Sequence, residues 1–210
     1  MLRNALLLLA VLAPGLAAAS EAMPELPERG DPAAGEQKIA TCAACHGRDG
    51  LATQPSYPNL AGQNYAYLLG QMRAFKSGER QAALMTGQLE NRSEQDLKDM
   101  AAYYAEKQAP VAAAPDENLD LGRRIYRAGL PQEGVPACIA CHSPRGNGNG
   151  PAAFPALSGQ PTEYVVGQLK AYRDGERTTD ANMGGMMRDI ADRLDDEEIE
   201  AVANYVRGLH

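Results

Sequence analysis

Residues 42–46 have the sequence Cys-Ala-Ala-Cys-His, and residues 138–142 have the sequence Cys-Ile-Ala-Cys-His. In a Cys-x-x-Cys-His motif, two thiols are spaced to form thioethers with the vinyl groups of one haem, and the next histidine reaches the iron. Cys-x-x-Cys alone also occurs in thioredoxin-like redox pairs and as half of a zinc site. The first would need a βαβ pattern and the second more Cys or His near the motifs, and the sequence has neither. We predict two covalently bound c-type haems. Their attachment residues and iron ligands would be Cys42, Cys45, His46, Cys138, Cys141 and His142.

The use of cysteine and histidine elsewhere in the chain favours the same interpretation. All four cysteines lie in the two motifs, as do two of the three histidines. Only His210, at the extreme C-terminus, is left unassigned.

The N-terminus has the pattern of a secretory signal peptide. Arg3 precedes an apolar run from Ala5 to Leu12, and small residues follow at positions 17–19. This pattern predicts a signal peptide over residues 1–19, cleaved after Ala19, and a mature protein in the periplasm. An uncleaved membrane anchor is the alternative, but the run is shorter than the roughly 20 residues that span a bilayer.

The formal net charge of the chain is −7. An acidic protein is poorly suited to bind nucleic acid or an anionic lipid surface, so we expect no nucleic-acid partner. Docking on a basic patch of a partner protein is compatible with this charge, and peripheral association with a membrane is left open.

The second half of the sequence repeats the first. Residues 58–63 (Pro-Asn-Leu-Ala-Gly-Gln) correspond to residues 155–160 (Pro-Ala-Leu-Ser-Gly-Gln). The match continues without a gap to Gly-Glu-Arg at 78–80 and at 175–177. Such self-similarity indicates a duplicated unit. The predicted divisions are an N-terminal domain over 20–107, a proline-containing linker over 108–118 and a C-terminal domain over 119–210.

Apolar residues recur with helical spacing, and no segment alternates with a period of two. The sequence therefore predicts an all-α fold with long irregular loops around the haems. The predicted helices run from Asp31 to Cys42 and from Asn64 to Lys76, and two more begin after the N-caps Ser93 and Asp195.

The sixth ligand of each iron decides its chemistry. Apart from His210 there is no histidine for a second imidazole ligand, and no cysteine is spare. Methionines are available: Met72 and Met100 lie on apolar stripes of predicted helices and are expected in the core. Met85 follows a turn and precedes Thr86-Gly87, which favours a ligand presented from a loop, although a methionine there can also serve only as a loop anchor.

Pro58 and Pro155 are candidates for a supporting role. An iron-ligating histidine usually donates its other ring N–H to a carbonyl group, which fixes the tautomer and raises the basicity of the ring. The two prolines follow their histidines by twelve and thirteen residues. The alternative is that both prolines only stiffen a turn.

These features resemble the dihaem cytochrome c4 family, which is built from two class I cytochrome c domains. The resemblance covers essentially the whole chain after the signal peptide. It depends on the two Cys-x-x-Cys-His motifs, the paired Pro-x-Leu-x-Gly-Gln segments, Met-Thr-Gly at 85–87 and the C-terminal residues 205–210. It implies two tandem domains, each wrapped around one covalent haem, that face one another across a pseudo-twofold axis. It also implies His/Met ligation at both irons and the proline carbonyl contact to each proximal histidine.

In the second half the methionine cluster contains Met183, Met186 and Met187, which departs from a single obvious ligand. The repeat supplies a register. Met85 lies twelve residues before Leu97, and Met187 lies twelve before Ile199, in the corresponding helix. Equal spacing would deliver both sulfur atoms to the same place, so we predict Met187 as the second ligand.

The resemblance implies a periplasmic electron carrier without substrate chemistry of its own. Its donor would be a quinol-oxidising cytochrome complex, and its acceptor a terminal oxidase or another reductase. The alternatives are a dihaem oxidoreductase, such as a peroxidase or a thiosulfate-oxidising dehydrogenase, and a haem-bearing subunit of a larger periplasmic enzyme. An enzyme would need an open or unusually ligated iron, and the absence of a spare His or Cys argues against it.

Overall fold

The computed structural model describes residues 29–210. The predicted signal peptide over residues 1–19 lies outside them. Regular structure in this range is helical, apart from isolated β-bridges that join Leu130 to Val135 and Asn149 to Phe154. The prediction of an all-α fold is therefore confirmed. None of the helices in this range is both long enough and apolar enough to cross a membrane.

Four helices lie between residue 29 and the end of the first half. They are α1 (Pro32–Glu36), α2 (Ala43–His46), α3 (Tyr65–Ser77) and α4 (Glu94–Ala105). Helix α4 begins with a capping box, in which Ser93 and Asp96 each accept from the other's backbone N–H. Helix α3 ends at Gly78, whose φ of 81° is in the left-handed region that glycine adopts without strain.

The predicted start of helix α1 is confirmed, but its predicted length is wrong. The Asp31 side chain accepts from the Ala33 N–H, and Pro32 occupies the first helical position, as expected. The helix ends at Glu36 instead of continuing to Cys42, and turns follow. Leaving the helix here lets Ile39, which is 1% exposed, point into the core of the first half.

The second half repeats this arrangement and adds to it. Its helices are α5 (Leu119–Ala128), α6 (Ile139–His142), α7 (Thr162–Arg173), α8 (Met186–Ala191) and α9 (Asp196–Arg207), with a 3-10 turn at Ala181–Met183. Asp195 and Glu198 form a capping box at the start of α9, as Ser93 and Asp96 do for α4. Helix α8 has no counterpart among the described residues of the first half, where residues 84–90 form turns.

Each half has its own hydrophobic core. The core of the first half is formed by Ile39, Leu68, Leu69, Leu89, Leu97, Met100, Ala101, Tyr103 and Tyr104. The core of the second half is formed by Ile125, Tyr126, Leu130, Val135, Val165, Leu194, Ile199, Val202, Ala203, Val206 and Leu209. Met72 packs against the first core and Met100 lies within it, as expected from their helical stripes.

The first helix of each half crosses the last one at a glycine. A Cβ atom on Gly35 of α1 would overlap the Asp99 carbonyl oxygen of α4, and a Cβ atom on Gly122 of α5 would overlap the Ala201 carbonyl oxygen of α9. The helices can approach this closely only because both positions lack a side chain.

The segment over residues 108–118 packs against both halves. A Cβ atom on Gly62 would lie 2.7 Å from the Ala109 Cβ atom, and one on Gly208 would lie 2.7 Å from the Ala114 Cβ atom. Gly159 of the second half meets Pro110 in the same way. This segment is irregular in structure and touches the two halves at Ala109, Pro110 and Ala114, whereas Val111 is 71% exposed.

The two halves also meet at a polar cluster, which we call the arginine cluster. It consists of Tyr67, Gln71 and Arg80 from the first half and Tyr164, Gln168 and Arg177 from the second. Arg80 donates across the interface to Gln168 Oε1 (2.6 Å) and to the Tyr164 hydroxyl (3.2 Å). Arg177 donates in the opposite direction to Gln71 Oε1 and to the Tyr67 hydroxyl, each at 2.9 Å. The residues correspond between the repeats, so the interface has approximate twofold symmetry.

Candidate haem-binding sites

A single helical turn holds the first Cys-x-x-Cys-His motif. Cys42 is the N-cap of α2 and His46 is its last residue, and the His46 N–H donates to the Cys42 carbonyl oxygen at 2.9 Å. Residues at positions i, i+3 and i+4 share one face of a helix. Helix α2 therefore places Cys42, Cys45 and His46 on the same side.

The second motif has the same local structure. Cys138 is the N-cap of α6, and the His142 N–H donates to the Cys138 carbonyl oxygen at 2.9 Å. The residues that follow the histidines, Gly47 and Ser143, have φ values of 73° and 68°. The chain therefore leaves both motifs with the same backbone conformation, at a positive φ.

The imidazole of each motif is held through Nδ1. His46 Nδ1 lies 3.0 Å from the Pro58 carbonyl oxygen, and His142 Nδ1 lies 3.0 Å from the Pro155 carbonyl oxygen. A carbonyl oxygen can only accept, so Nδ1 carries the proton and the lone pair of the neutral ring lies on Nε2. Each ring is thus in the tautomer that can bind a metal through Nε2.

Burial supports the neutral state of both rings. It lowers the pKa of His46 and of His142, and the hydrogen bonds to Pro58 and Pro155 only partly oppose this effect. At neutral pH both imidazoles therefore have a free lone pair. Haem c requires two cysteines that can bond to its vinyl groups and a histidine that can ligate its iron. The residues in each half therefore fit this cofactor.

The cysteine side chains of both motifs are half-buried. Burial raises the pKa of Cys138 to about 11 and also raises the pKa of Cys42. Burial therefore disfavours the thiolate form of Cys42 and Cys138.

The candidate sixth ligands occupy different surroundings. Met85 lies in a turn, is half-buried and packs against the core of the first half. In the second half, Met183 ends the 3-10 turn, Met186 begins α8 with 38% of its surface exposed, and Met187 is half-buried in α8. Consecutive residues of a helix point about 100° apart. Met187 and Met183 therefore resemble Met85 in their partial burial, whereas Met186 points towards solvent.

Two pairs of residues near the histidines were not predicted from the sequence. The ring centroids of Tyr57 and His46 are 6.3 Å apart, as are those of Phe154 and His142. Each aromatic residue directly precedes the proline whose carbonyl oxygen accepts from the histidine. The aromatic-proline dipeptide occurs in both repeats, and this match in the sequence could have indicated that the aromatic residues lie near the histidines.

The second pair is formed by Gln63 and Gln160. Both side chains are buried, and each forms hydrogen bonds with the backbone of the other half. They end the two Pro-x-Leu-x-Gly-Gln segments, so the repeat marked them, but nothing in the sequence indicates that they cross the interface.

Comparison with known protein families identifies the same unit twice. The family model described as Cytochrome c matches residues 32–106 and again residues 119–210.

Individual relatives match across both halves. The chain is 47% identical over 191 residues to cytochrome c4 of Azotobacter vinelandii, covering 86% of this chain and 90% of that protein. It is 38% identical to a thiosulfate dehydrogenase electron acceptor of Thiomonas intermedia (strain K12), covering 83% of this chain and 81% of that one. The crystal structure of reduced recombinant cytochrome c4 from Pseudomonas stutzeri superimposes with a TM-score of 0.84 at 41% identity, covering 86% of this chain and all of that one.

Proposed function

Because this chain belongs to the dihaem cytochrome c4 family, we propose that it is a periplasmic electron carrier between a quinol-oxidising cytochrome complex and a terminal oxidase or another reductase. Proteins of this family are electron-transfer proteins, and the two matched domains mean that the chain carries two covalently bound haem c groups. Export by a signal peptide over residues 1–19 and the division into domains at 20–107, 108–118 and 119–210 are parts of the same proposal.

The observation that carries this proposal is the identical arrangement of the two histidines. Each is buried at the end of a motif turn, and each has its Nδ1 held 3.0 Å from a proline carbonyl oxygen. This contact fixes the ring before any iron binds, which keeps ligand reorganisation small when the charge on the iron changes. A rigid, fully ligated site suits a carrier better than an enzyme that must bind a substrate at the metal.

The roles of the remaining residues follow from their chemistry. Cys42 and Cys45 tether one haem, and Cys138 and Cys141 tether the other, each through two thioether bonds. His46 and His142 ligate the irons through Nε2. Met85 and Met187 supply the sixth ligands, and a thioether ligand raises the potential. When bound, haem c supplies an iron that exchanges one electron between its ferric and ferrous states.

The thiosulfate dehydrogenase electron acceptor among the relatives favours a second candidate for the donor. An enzyme that oxidises thiosulfate would then deliver electrons to this chain in place of a quinol-oxidising complex. The oxidised protein should remain oxidised with thiosulfate alone and become reduced when a thiosulfate dehydrogenase is added. Reduction by thiosulfate alone would instead assign the oxidation to this chain.

A redox titration of the purified protein, with and without carbon monoxide, tests the carrier function. Mass spectrometry of the denatured protein should find two haems on each chain, and the titration should resolve two reversible one-electron couples. Both reduced irons should bind carbon monoxide poorly at neutral pH, because no coordination position is open. Rapid and complete binding at either iron would favour the dihaem oxidoreductase.

A further inference from the structure

Gln63 and Gln160 each form a pair of hydrogen bonds with one residue of the opposite half. Gln63 Oε1 accepts from the Ala156 N–H (2.7 Å), and Gln63 Nε2 donates to the Ala156 carbonyl oxygen (2.9 Å). Gln160 Oε1 accepts from the Asn59 N–H (3.0 Å), and Gln160 Nε2 donates to the Asn59 carbonyl oxygen (2.8 Å). Both glutamines are 5% exposed. These bonds are therefore protected from competition with water.

The residues held in this way are the ones that follow the two prolines. The Ala156 N–H belongs to the same peptide group as the Pro155 carbonyl oxygen, which accepts from His142 Nδ1. The Asn59 N–H belongs to the same peptide group as the Pro58 carbonyl oxygen, which accepts from His46 Nδ1. A continuous chain of hydrogen bonds thus runs from each imidazole, through one peptide group, to a glutamine of the other half.

Such a chain has an electronic consequence. When the N–H of a peptide group donates a hydrogen bond, its carbonyl oxygen becomes a stronger acceptor, because hydrogen bonds in series polarise one another. A stronger acceptor at Nδ1 makes the imidazole a more basic ligand. A more basic ligand stabilises the ferric ion, which has the higher charge, and so lowers the potential.

We propose that each glutamine is a positioning residue for the iron site of the opposite half: Gln63 acts on the His142 site and Gln160 acts on the His46 site. The proposal rests on the proposed function, because it requires iron ligated by both histidines. Each half thereby completes the hydrogen-bonded surroundings of the other half's proximal ligand.

The hydrogen bonds around Gln63 and around Gln160 are not identical. The Gln63 Oε1 atom also accepts from the Asn64 N–H at 2.9 Å, whereas residue 161, which follows Gln160, is a proline without an N–H. The Asn59 side chain adds a bond of its own to the Gly159 carbonyl oxygen at 2.9 Å, which Ala156 cannot match. Both substitutions should therefore shift a potential in the same direction, by amounts that need not be equal.

Redox titrations of Gln63→Leu and Gln160→Leu test whether each glutamine acts on the iron of the opposite half. The two couples are first assigned to their halves with Met85→Ala, which should lower only the reduction potential of the first half. Gln63→Leu should then raise the reduction potential of the iron in the second half, and Gln160→Leu should raise that of the iron in the first half. The change expected is about threefold in the equilibrium constant for reduction, which is about 28 mV at 59 mV per tenfold for one electron.

Tyr67→Phe provides a matched control. It removes one hydrogen bond across the interface, from Arg177, but touches neither proline segment, so both couples should stay in place. Gln63→Glu keeps an oxygen that can accept from the Ala156 N–H, and it replaces Gln63→Leu if that variant does not retain haem. With Gln63→Glu the second couple should not rise.

Several outcomes would overturn the crossing. For the leucine variants they are a shift in the reduction potential of the mutated half, equal shifts in both halves, or no shift. A shift with Tyr67→Phe, or a higher potential of the second half with Gln63→Glu, would also overturn it. The proposed function fails separately, if the wild-type protein shows fewer than two couples or Met85→Ala moves neither of them.

Discussion

Gly122 lies directly against the carbonyl oxygen of Ala201, at the point where helix α5 crosses helix α9. The nearest obstacle is backbone, which cannot move aside as a flexible side chain can. Gly35 and Asp99 make the equivalent contact in the first half. The closeness of these helix pairs is therefore a property of the repeated unit.

We expect Gly122→Ala to destabilise the second half by about 1–3 kcal/mol, the usual cost of an extra methyl group in a closely packed site. Urea unfolding of the haem-loaded protein measures the change. Gly167→Ala is the control, because Gly167 is also helical but has no atom within 4 Å of its Cβ position. That substitution should stabilise the protein by about 0.5–1 kcal/mol. Equal effects of the two substitutions would contradict the role of the contact.

Met187→Ala should remove the sixth ligand of the second iron. The charge-transfer band from the methionine sulfur to ferric iron should be lost for one haem, and the potential of that haem should fall. Optical spectroscopy of the oxidised protein and a redox titration measure the two effects.

Met186→Ala and Met183→Ala are the controls for this substitution. Met186 is the first residue of α8 and is 38% exposed, so its removal should leave both haems nearly unchanged. Met183 is half-buried but lies four residues before the position that the repeat gives for the ligand, so its removal should also leave both haems nearly unchanged. If Met186→Ala lost the band, the register taken from Leu97 and Ile199 would be wrong by one residue.

Asp99 is a second point at which the first half can be tested. It is 2% exposed, and it accepts from Lys38 Nζ (2.6 Å), the Asp31 N–H (2.8 Å) and Gln95 Nε2 (2.7 Å). Asp99→Asn should destabilise the protein by about 1–3 kcal/mol, because it removes the buried charge that accepts all three hydrogen bonds, although Lys38 keeps its ion pair with Asp96 (2.7 Å). Glu94→Gln, which breaks the half-exposed pair with Arg73, should cost less than about 1 kcal/mol.

The effect of Asp99→Asn should depend on pH. Burial alone would raise the pKa of Asp99, but the hydrogen bonds from Lys38, Asp31 and Gln95 outweigh it and hold the pKa below the ordinary value of 3.8. A carboxylate with a lowered folded-state pKa stabilises the protein fully above its unfolded pKa and loses this effect as the pH falls through the folded value. The difference between wild type and variant, from urea unfolding, should therefore be larger at pH 7 than at pH 3. An unchanged difference would show that the charge of Asp99 contributes nothing.

In the arginine cluster, Arg177→Gln should raise the pKa of Tyr67. Burial on its own raises this pKa, but the positive charges of Arg177 and Arg80 and their hydrogen bonds lower it below the ordinary value of 10. Removing one charge removes part of that lowering. NMR titration of protein labelled at tyrosine Cζ measures the change, with Arg73→Gln as a control that removes an exposed arginine. A fall in the Tyr67 pKa would contradict this account.

Much of the fold could be predicted from local signals. Helices α3 and α4 have long apolar stripes and explicit caps at Gly78 and Ser93, so the bounds predicted for α3 and the start predicted for α4 are close to those observed. Helix α1 was predicted six residues too long, because its N-cap is local whereas its end depends on the burial of Ile39 in a distant core. Helix α8, with six residues, is too short for periodicity to reveal.

The site residues also divide into those indicated by local sequence and those that depend on distant parts of the chain. Cys42, Cys45 and His46 are adjacent in sequence, so their spacing alone predicted the chemistry. The match between Gln63 and Gln160 in the repeats was visible, but their partners lie 93 and 101 residues away. Only the packing of one half on the other brings these groups together.

The approximate symmetry of the interface also has an evolutionary consequence. If two separate copies of one domain met through these surfaces, any substitution would appear on both sides of the contact at once. Joining the copies in a single gene removes that constraint, and residue 59 can be asparagine while its counterpart at 156 is alanine. Each proline segment can then change while its counterpart stays the same, as the extra hydrogen bond of the Asn59 side chain to the Gly159 carbonyl oxygen shows.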